Sequence, residues 1–210
     1  MYLSRQTLPA FLYMALGGLM MLMPFIIAHS GYIGDVLVAD GSLGAPFDKA
    51  LILIGQESAD GSIGIILNKP LTEKQLLNLS SFMRDSGIPV GYGGPLEVSE
   101  KIFVVEEKKS NFHDGKSSFD ITAWDDAVRT TPDLLDKIRE SLKKGEQRYR
   151  VFTGFAGWGA LQLEWEILLK HKWHSIVATH DLVFQNSPEA QWDALDHRGK
   201  TRESPPLNQI

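Results

Sequence analysis

Cysteine is absent from all 210 residues, which excludes disulfide scaffolds, thiolate metal sites, iron–sulfur clusters and cysteine nucleophiles together. Positive charge is scarce as well: 21 Lys and Arg stand against 26 Asp and Glu, a formal net charge of −5. A chain of that balance has no electrostatic footprint for phosphate backbones, and no nucleic-acid contact is expected. No serine lies in Gly-x-Ser-x-Gly, and the glycine turn from Gly91 to Gly94 is followed neither by Gly-Lys-Ser/Thr nor by the helix a dinucleotide fingerprint opens. A complete catalytic motif is therefore missing, and no cofactor is implied. What is present, 43% hydrophobic and 22% charged residues, suffices for one globular core with an ordinary surface.

The N-terminal region is the exception to that ordinary surface. Pro9 to Ala28 carries no charge, and the run is as long as the roughly 20 residues a helix needs to cross a bilayer. Arg5 precedes it, and Asp35 and Asp40 are the first charges after it, so the positive-inside bias predicts a cytoplasmic N-terminus and export of everything from Gly31 onward. Two alternatives share this layout. Residues 1–30 act either as an uncleaved signal anchor or as a signal peptide cut after Ala28-His29-Ser30. The expected location is thus the periplasmic side of the inner membrane, anchored or cleaved, with a buried helix of a cytoplasmic protein as the alternative.

Downstream, short apolar runs at Val36–Ala39 and Ala50–Ile54 predict two strands, and Gly61–Leu67, apolar on both faces, predicts a central one. Thr72-Glu73-Lys74-Gln75 is a capping box, followed by Leu76, Leu79 and Met83 at helical spacing, which predicts one helix to about Arg84. Strands are predicted at Ile102–Val105 and Phe119–Thr122 around a polar loop, Glu106 to Ser118. A second helix is expected to start near Thr131-Pro132 and stop at Gly145. Arg148–Thr153 alternates like a strand and leads through Gly154-Phe155-Ala156-Gly157 into a helix, Trp158 to Lys170, with the stripe Leu161, Trp165, Leu168. Ser175–Phe184 reads as a last strand, Ser187-Pro188-Glu189 as the cap of a short helix with Trp192 and Leu195, and residues 198–210 as a polar tail. These elements predict an α+β fold: one compact domain, residues 31–197, with a single mixed, mainly antiparallel sheet flanked by helices and preceded by an N-terminal hydrophobic helix.

Three stretches carry a family likeness. Gly61 to Ile66 followed by Leu67-Asn68-Lys69-Pro70-Leu71, then Gly91-Tyr92-Gly93-Gly94-Pro95-Leu96, then Gly154-Phe155-Ala156-Gly157-Trp158-Gly159 with Gln162-Leu163-Glu164-Trp165-Glu166, together resemble the AlgH/YqgE family of bacterial proteins. Trp173 also falls where that family has a tryptophan. The resemblance implies a compact α+β domain of undefined biochemical activity, in proteins generally taken to be cytosolic. This chain departs from the pattern in its apolar leader, in the delayed proline at Pro46, and in Ile102-Phe103-Val104-Val105, where relatives commonly end the strand in histidine.

Eight residues form the candidate ligand site: Asn68, Lys69, Gly93, Gly94, Gly157, Trp158, Gln162 and Glu166. Each group sits at a predicted strand or helix terminus where backbone amides are free, and Lys69 supplies a charge for an anion. The three segments are expected to converge on one edge. The bland alternative pairs Lys69 with Glu164 or Glu166 as a structural ion pair. Gln162 and Glu166 share a helical face that Glu164 does not, which disfavours a carboxylate pair, and His180-Asp181 in a strand would face opposite sides. No metal site is expected. The leading functional expectation is a noncatalytic binding or regulatory module with a protein partner, and with a membrane contact through the leader if it stays uncleaved. The alternative is a small-molecule enzyme, hydrolase-like, with the glycine turns as anion or oxyanion sites.

Overall fold

The computed structural model describes residues 31–108, 118–184 and 192–195. The expected leader, the polar tail and most of the Glu106 to Ser118 loop lie outside these described residues. The chain divides into Met1–Gly31 and Tyr32–Ile210, and every element below belongs to the second unit. Among the described residues no helix is long and apolar enough to cross a membrane.

Instead of the one sheet expected, the strands form two. The first has the order β8-β3-β2-β1-β9 and is antiparallel throughout: β1 Asp35–Ala39, β2 Leu51–Ser58, β3 Gly61–Ile66, β8 Ala156–Gly159 and β9 Trp173–Val177. The second has the order β4-β7-β5-β6: β4 Val90–Tyr92, β5 Ile102–Lys108, β6 Ser118–Ala123 and β7 Tyr149–Thr153, with β4 and β7 parallel. Six helices complete the described elements: α1 Glu73–Asn78, α2 Ser81–Asp85, α3 Trp124–Thr130, α4 Leu134–Lys144, α5 Gln162–Leu168 and α6 His180–Phe184. Residues 192–195 add one further helical turn.

Strand periodicity explains why the apolar runs have no polar face. Side chains alternate across a strand, so Val36, Val38, Leu51, Leu53 and Ile65 point one way, into a core shared with Val105 and Phe152 of the second sheet. Their neighbours Leu37, Ala39, Ile52, Ile54 and Ile66 point the other way, into a core closed by Leu163 of α5 and by Trp158 and Trp173. The far face of the second sheet, Val104 and Val151, is covered by Met83, Ala127, Leu134 and Ile138 from the helices. A sheet buried on both sides needs apolar residues at every position.

The local signals fare unevenly. The capping box is present, with Thr72 Oγ1 accepting from Gln75 N and Gln75 Oε1 accepting from Thr72 N. The helix it starts nevertheless ends at Asn78, because Ser80 caps a second one through Met83 N, and Leu79 turns extended between them. Gly145 closes α4 with φ +70 as expected, while the helix begins at Leu134, two residues past Pro132. β5 and β6 extend to Lys108 and from Ser118, further than the predicted strands. β4 and α3 were not anticipated; three residues and seven are too few for a period to show.

Two predicted elements change identity. The segment expected to open the Trp158 helix is β8, paired to β3 from Gly61↔Gly159 to Gly64↔Ala156. The predicted strand Ser175–Phe184 divides into β9 and the helix α6. His180 and Asp181 thus lie on a helix, where His180 Nδ1 is 2.9 Å from Glu107 Oε2 of β5.

Candidate functional site

The eight candidate residues form two groups at opposite ends of β3, rather than one edge. Asn68 and Lys69 follow its C-terminal end. Asn68 is buried and clamps the chain entering β2: its Oδ1 accepts from Leu51 N at 2.9 Å and its Nδ2 donates to Lys49 O at 2.7 Å. Lys69 Nζ lies 3.3 Å from Asp48 Oδ1, not near Glu164 or Glu166. The alternative that pairs Lys69 with Glu164 or Glu166 is replaced by a pair with Asp48, which the β1–β2 loop carries to the strand end. With Asp48 more than half exposed, the pair contributes at most about 1 kcal/mol.

Gly93 and Gly94 stitch the sheets together beside this strand end. Ile66 N donates to Gly93 O at 2.8 Å, Gly93 N donates to Thr153 O at 2.9 Å, and Tyr92 N donates to Lys69 O at 3.1 Å. The Gly93 amide is thus occupied, and the turn is a backbone crossing. A Cβ on Gly94 would lie 2.1 Å from the Phe155 carbonyl carbon. This crossing, rather than an anion, is what the Gly-Gly-Pro segment serves.

At the other end of β3, Gly157 and Trp158 lie within β8, so their position is not a helix start and offers no free helix amides. The helix begins only after Leu161, itself at φ +60, and Gly159 N is taken by Gln162 Oε1 at 3.0 Å. Here Gln162, Glu166 and Trp158 do meet. Glu166 Oε2 accepts from Trp158 Nε1 at 3.2 Å and from Trp173 Nε1 at 2.8 Å, and Glu166 Oε1 accepts from Gln162 Nε2 at 3.1 Å. The two indoles pack edge to face with centroids 5.7 Å apart, and Phe47 meets Trp173 in the same way. Burial pushes the Glu166 carboxyl pKa up, but the hydrogen bonds from Trp173, Gln162 and Trp158 and the nearby Lys172 outweigh it, and the net shift is downward. A carboxylate held ionised by three donors is a brace, not a poised acid or base. Trp173, which sequence reasoning noted but left out of the site, is integral to it.

The stripe of α5 has the opposite orientation to the one its periodicity suggested. Leu163 is fully buried and Ile167 packs beside it, whereas Trp165, Leu168 and Leu169 are 51%, 48% and 56% exposed. Leu161 is exposed on the same side, and Lys170 Nζ lies 5.7 Å from the Trp165 ring centroid. The helix is therefore apolar on two opposite faces, one packed on the sheet and one turned to solvent.

A family model described as AlgH-like, DUF179, matches residues 36–201. The chain belongs to the AlgH-like family. Among its relatives, a UPF0301 protein of Methylococcus capsulatus is 31% identical over 158 residues, 70% of this chain and 78% of the relative. A UPF0301 protein of Paracoccus denitrificans is 30% identical over 175 residues, 79% of this chain and 88% of the relative. The AlgH-like fold also relates it to two solved structures. The solution structure of AlgH from Pseudomonas aeruginosa superposes with a TM-score of 0.54 at 18% identity, covering 85% of this chain and 97% of that one. The crystal structure of protein DIP2367 from Corynebacterium diphtheriae gives 0.55 at 19% identity, covering 85% and 90%. The AlgH-like motifs thus coincide with the sheet crossing at Gly93-Gly94, the Asn68 clamp and the Glu166 brace. All three are architectural in geometry.

Proposed function

We propose that this AlgH-like chain is a noncatalytic binding and regulatory module that meets a partner protein through the outward stripe of α5. The observation that supports it is the exposure of Trp165 and Leu168 on a helix, with Leu169 at its C-cap, whose other face is anchored by Leu163 and Glu166. Contiguous exposed apolar side chains of this size mark interaction sites, and tryptophan is enriched among the residues that dominate interface affinity. The net charge of −5 argues against nucleic acid as that partner. The hydrolase alternative relied on free glycine amides, and the Gly93 and Gly159 amides are already bonded.

Cross-linking and pull-down with the full chain tests this reading. Trp165→Glu is expected to reduce capture roughly tenfold or more, as for a central interface tryptophan, with folding stability within about 1 kcal/mol of wild type. Leu77→Glu, at a side chain 66% exposed on α1, is the control and keeps capture intact. Equal capture by the Trp165→Glu and wild-type proteins would sink the proposal.

The same proposal puts the domain on the exported side of the inner membrane, on the strength of the uncharged run Pro9 to Ala28 behind Arg5. A reporter fused after Ile210 is expected to be active when it requires the periplasm and silent when it requires the cytoplasm. The reverse pattern returns the chain to the cytoplasm, and the mature N-terminus read by mass spectrometry separates a cleaved signal from an anchor.

A further inference from the structure

A cavity of about 380 Å³ opens where the end of β3 meets the second sheet and α4. Its walls are mostly apolar, among them Leu67, Ile88, Ile138 and Phe184, and no Asp or Glu lines it among the described residues. For a chain of net charge −5 that is a selective arrangement. Two cations border it, and they are not equivalent. Lys69 is already partnered by Asp48. Arg150 is not paired to any carboxylate among the described residues.

The Arg150 guanidinium is held in place by the backbone. Nη1 donates to Val183 O at 2.7 Å, Nη2 donates to Leu67 O at 2.8 Å, and the group lies over the Phe152 ring at 4.8 Å. Of the five N–H groups a guanidinium carries, those two bonds leave three without an acceptor among the described residues. A partly buried positive charge with spare donors, fixed in orientation and bordering an apolar cavity, is arranged as carboxylate-binding sites are. Burial alone lowers its pKa, to about 10, so the group stays protonated near neutrality but desolvated.

We propose that this cavity binds a small organic carboxylate, its charged end on Arg150 and its apolar body against the Leu67, Ile138 and Phe184 walls. A carboxylate matches the planar fork and carries the one negative charge that Arg150 leaves unbalanced; a dianionic phosphate would exceed it. The volume, at the low end for ligand pockets, limits the ligand to a short chain or a single ring system. The site is separate from α5 and does not depend on the docking proposal made for that helix.

Titration of the full chain with octanoate, 1-octanol, acetate and octyl phosphate, followed through the amide resonances of Leu67, Gly91 and Val151, tests it. Octanoate is expected to give saturable shifts at those amides, with octanol, acetate and octyl phosphate each weaker. Arg150→Met is expected to weaken octanoate roughly tenfold or more, the usual scale for a lost charged hydrogen bond, and to bring it to the level of octanol. Because Arg150 also braces two carbonyls, a second variant keeps the test decisive if Arg150→Met misfolds. Leu142→Glu, at a half-exposed side chain on the cavity wall, leaves the Arg150 bonds intact and is expected to weaken octanoate by clearly more than octanol. Octanoate and octanol binding alike, octyl phosphate binding tighter, or shifts absent from these amides would each overturn the assignment.

Discussion

Gly94→Ala is expected to destabilise the fold severely. Gly94 has φ +151, and a Cβ there would lie 2.1, 2.3 and 2.4 Å from the carbonyl carbon and oxygen of Phe155 and from Ala156 N. These are backbone atoms fixed by the reciprocal Leu96–Phe155 hydrogen bonds, Leu96 N to Phe155 O and Phe155 N to Leu96 O, each 3.0 Å. The opposite segment is equally tight: Gly154, at φ +73, would place a Cβ 2.5 Å from Gly94 O. Neither side can yield without parting the connection between the two sheets. The cost should be at least about 4 kcal/mol, in the range reserved for core disruption combined with backbone strain. Gly145→Ala is the matched control, since that glycine also has positive φ, +70, but open space around it. It should cost about 1 kcal/mol. Urea melts followed by circular dichroism measure both, and a Gly94→Ala protein with an unchanged midpoint would contradict the crossing.

Glu166→Ala should cost about 3 kcal/mol, because it strands two nearly buried indole N–H groups, Trp158 and Trp173, that now share its Oε2. Part of the lost attraction is screened by solvent, since the carboxylate is only half-buried, and the estimate counts the unsatisfied indoles rather than the charge. Glu166→Gln keeps an acceptor and should cost less. The two proteins also differ in pH response. The folded pKa of Glu166 is lowered, so its ionised form contributes stability in full above the unfolded glutamate value of about 4.3 and loses it as pH falls through the folded value. The gap between wild type and Glu166→Gln should therefore narrow below about pH 4.3 and stay constant above it. Thermal melts between acid and neutral pH, with tryptophan fluorescence as the probe, check this. A gap that widens in acid would mean that the carboxylate is not the stabilising species.

The strand runs around Val36–Ala39, Ala50–Ile54 and Gly61–Leu67 were legible from the sequence, because β-branched and aliphatic residues at consecutive positions suit a sheet covered on both faces. The capping box at Thr72 and the stop at Gly145 were legible for a similar reason: each is satisfied by atoms within a few residues. The family likeness rested on motifs that in this chain are tied to close backbone contacts, as at Gly61, Gly93, Gly94 and Gly154.

Only the tertiary structure decided which face of α5 turns inward. Periodicity marks Leu161, Trp165 and Leu168 as one stripe, but Leu163 and Ile167 form another, and the geometry of β8 and β9 selects the second for the core. The glycines from Gly154 to Gly159 could not be read as a strand, because a strand signal needs alternating side chains and glycine supplies none. Partner choice was equally beyond local reading. Lys69 meets Asp48, 21 residues earlier, and Glu166 meets Trp173 across the turn between α5 and β9, each within about 3 Å, where charge and hydrogen bonding act. The same holds for Arg150, which looked like an ordinary polar residue of an alternating strand. Its cavity exists only because α4 and the end of β3 close over β7, leaving a fixed charge with no carboxylate beside it among the described residues.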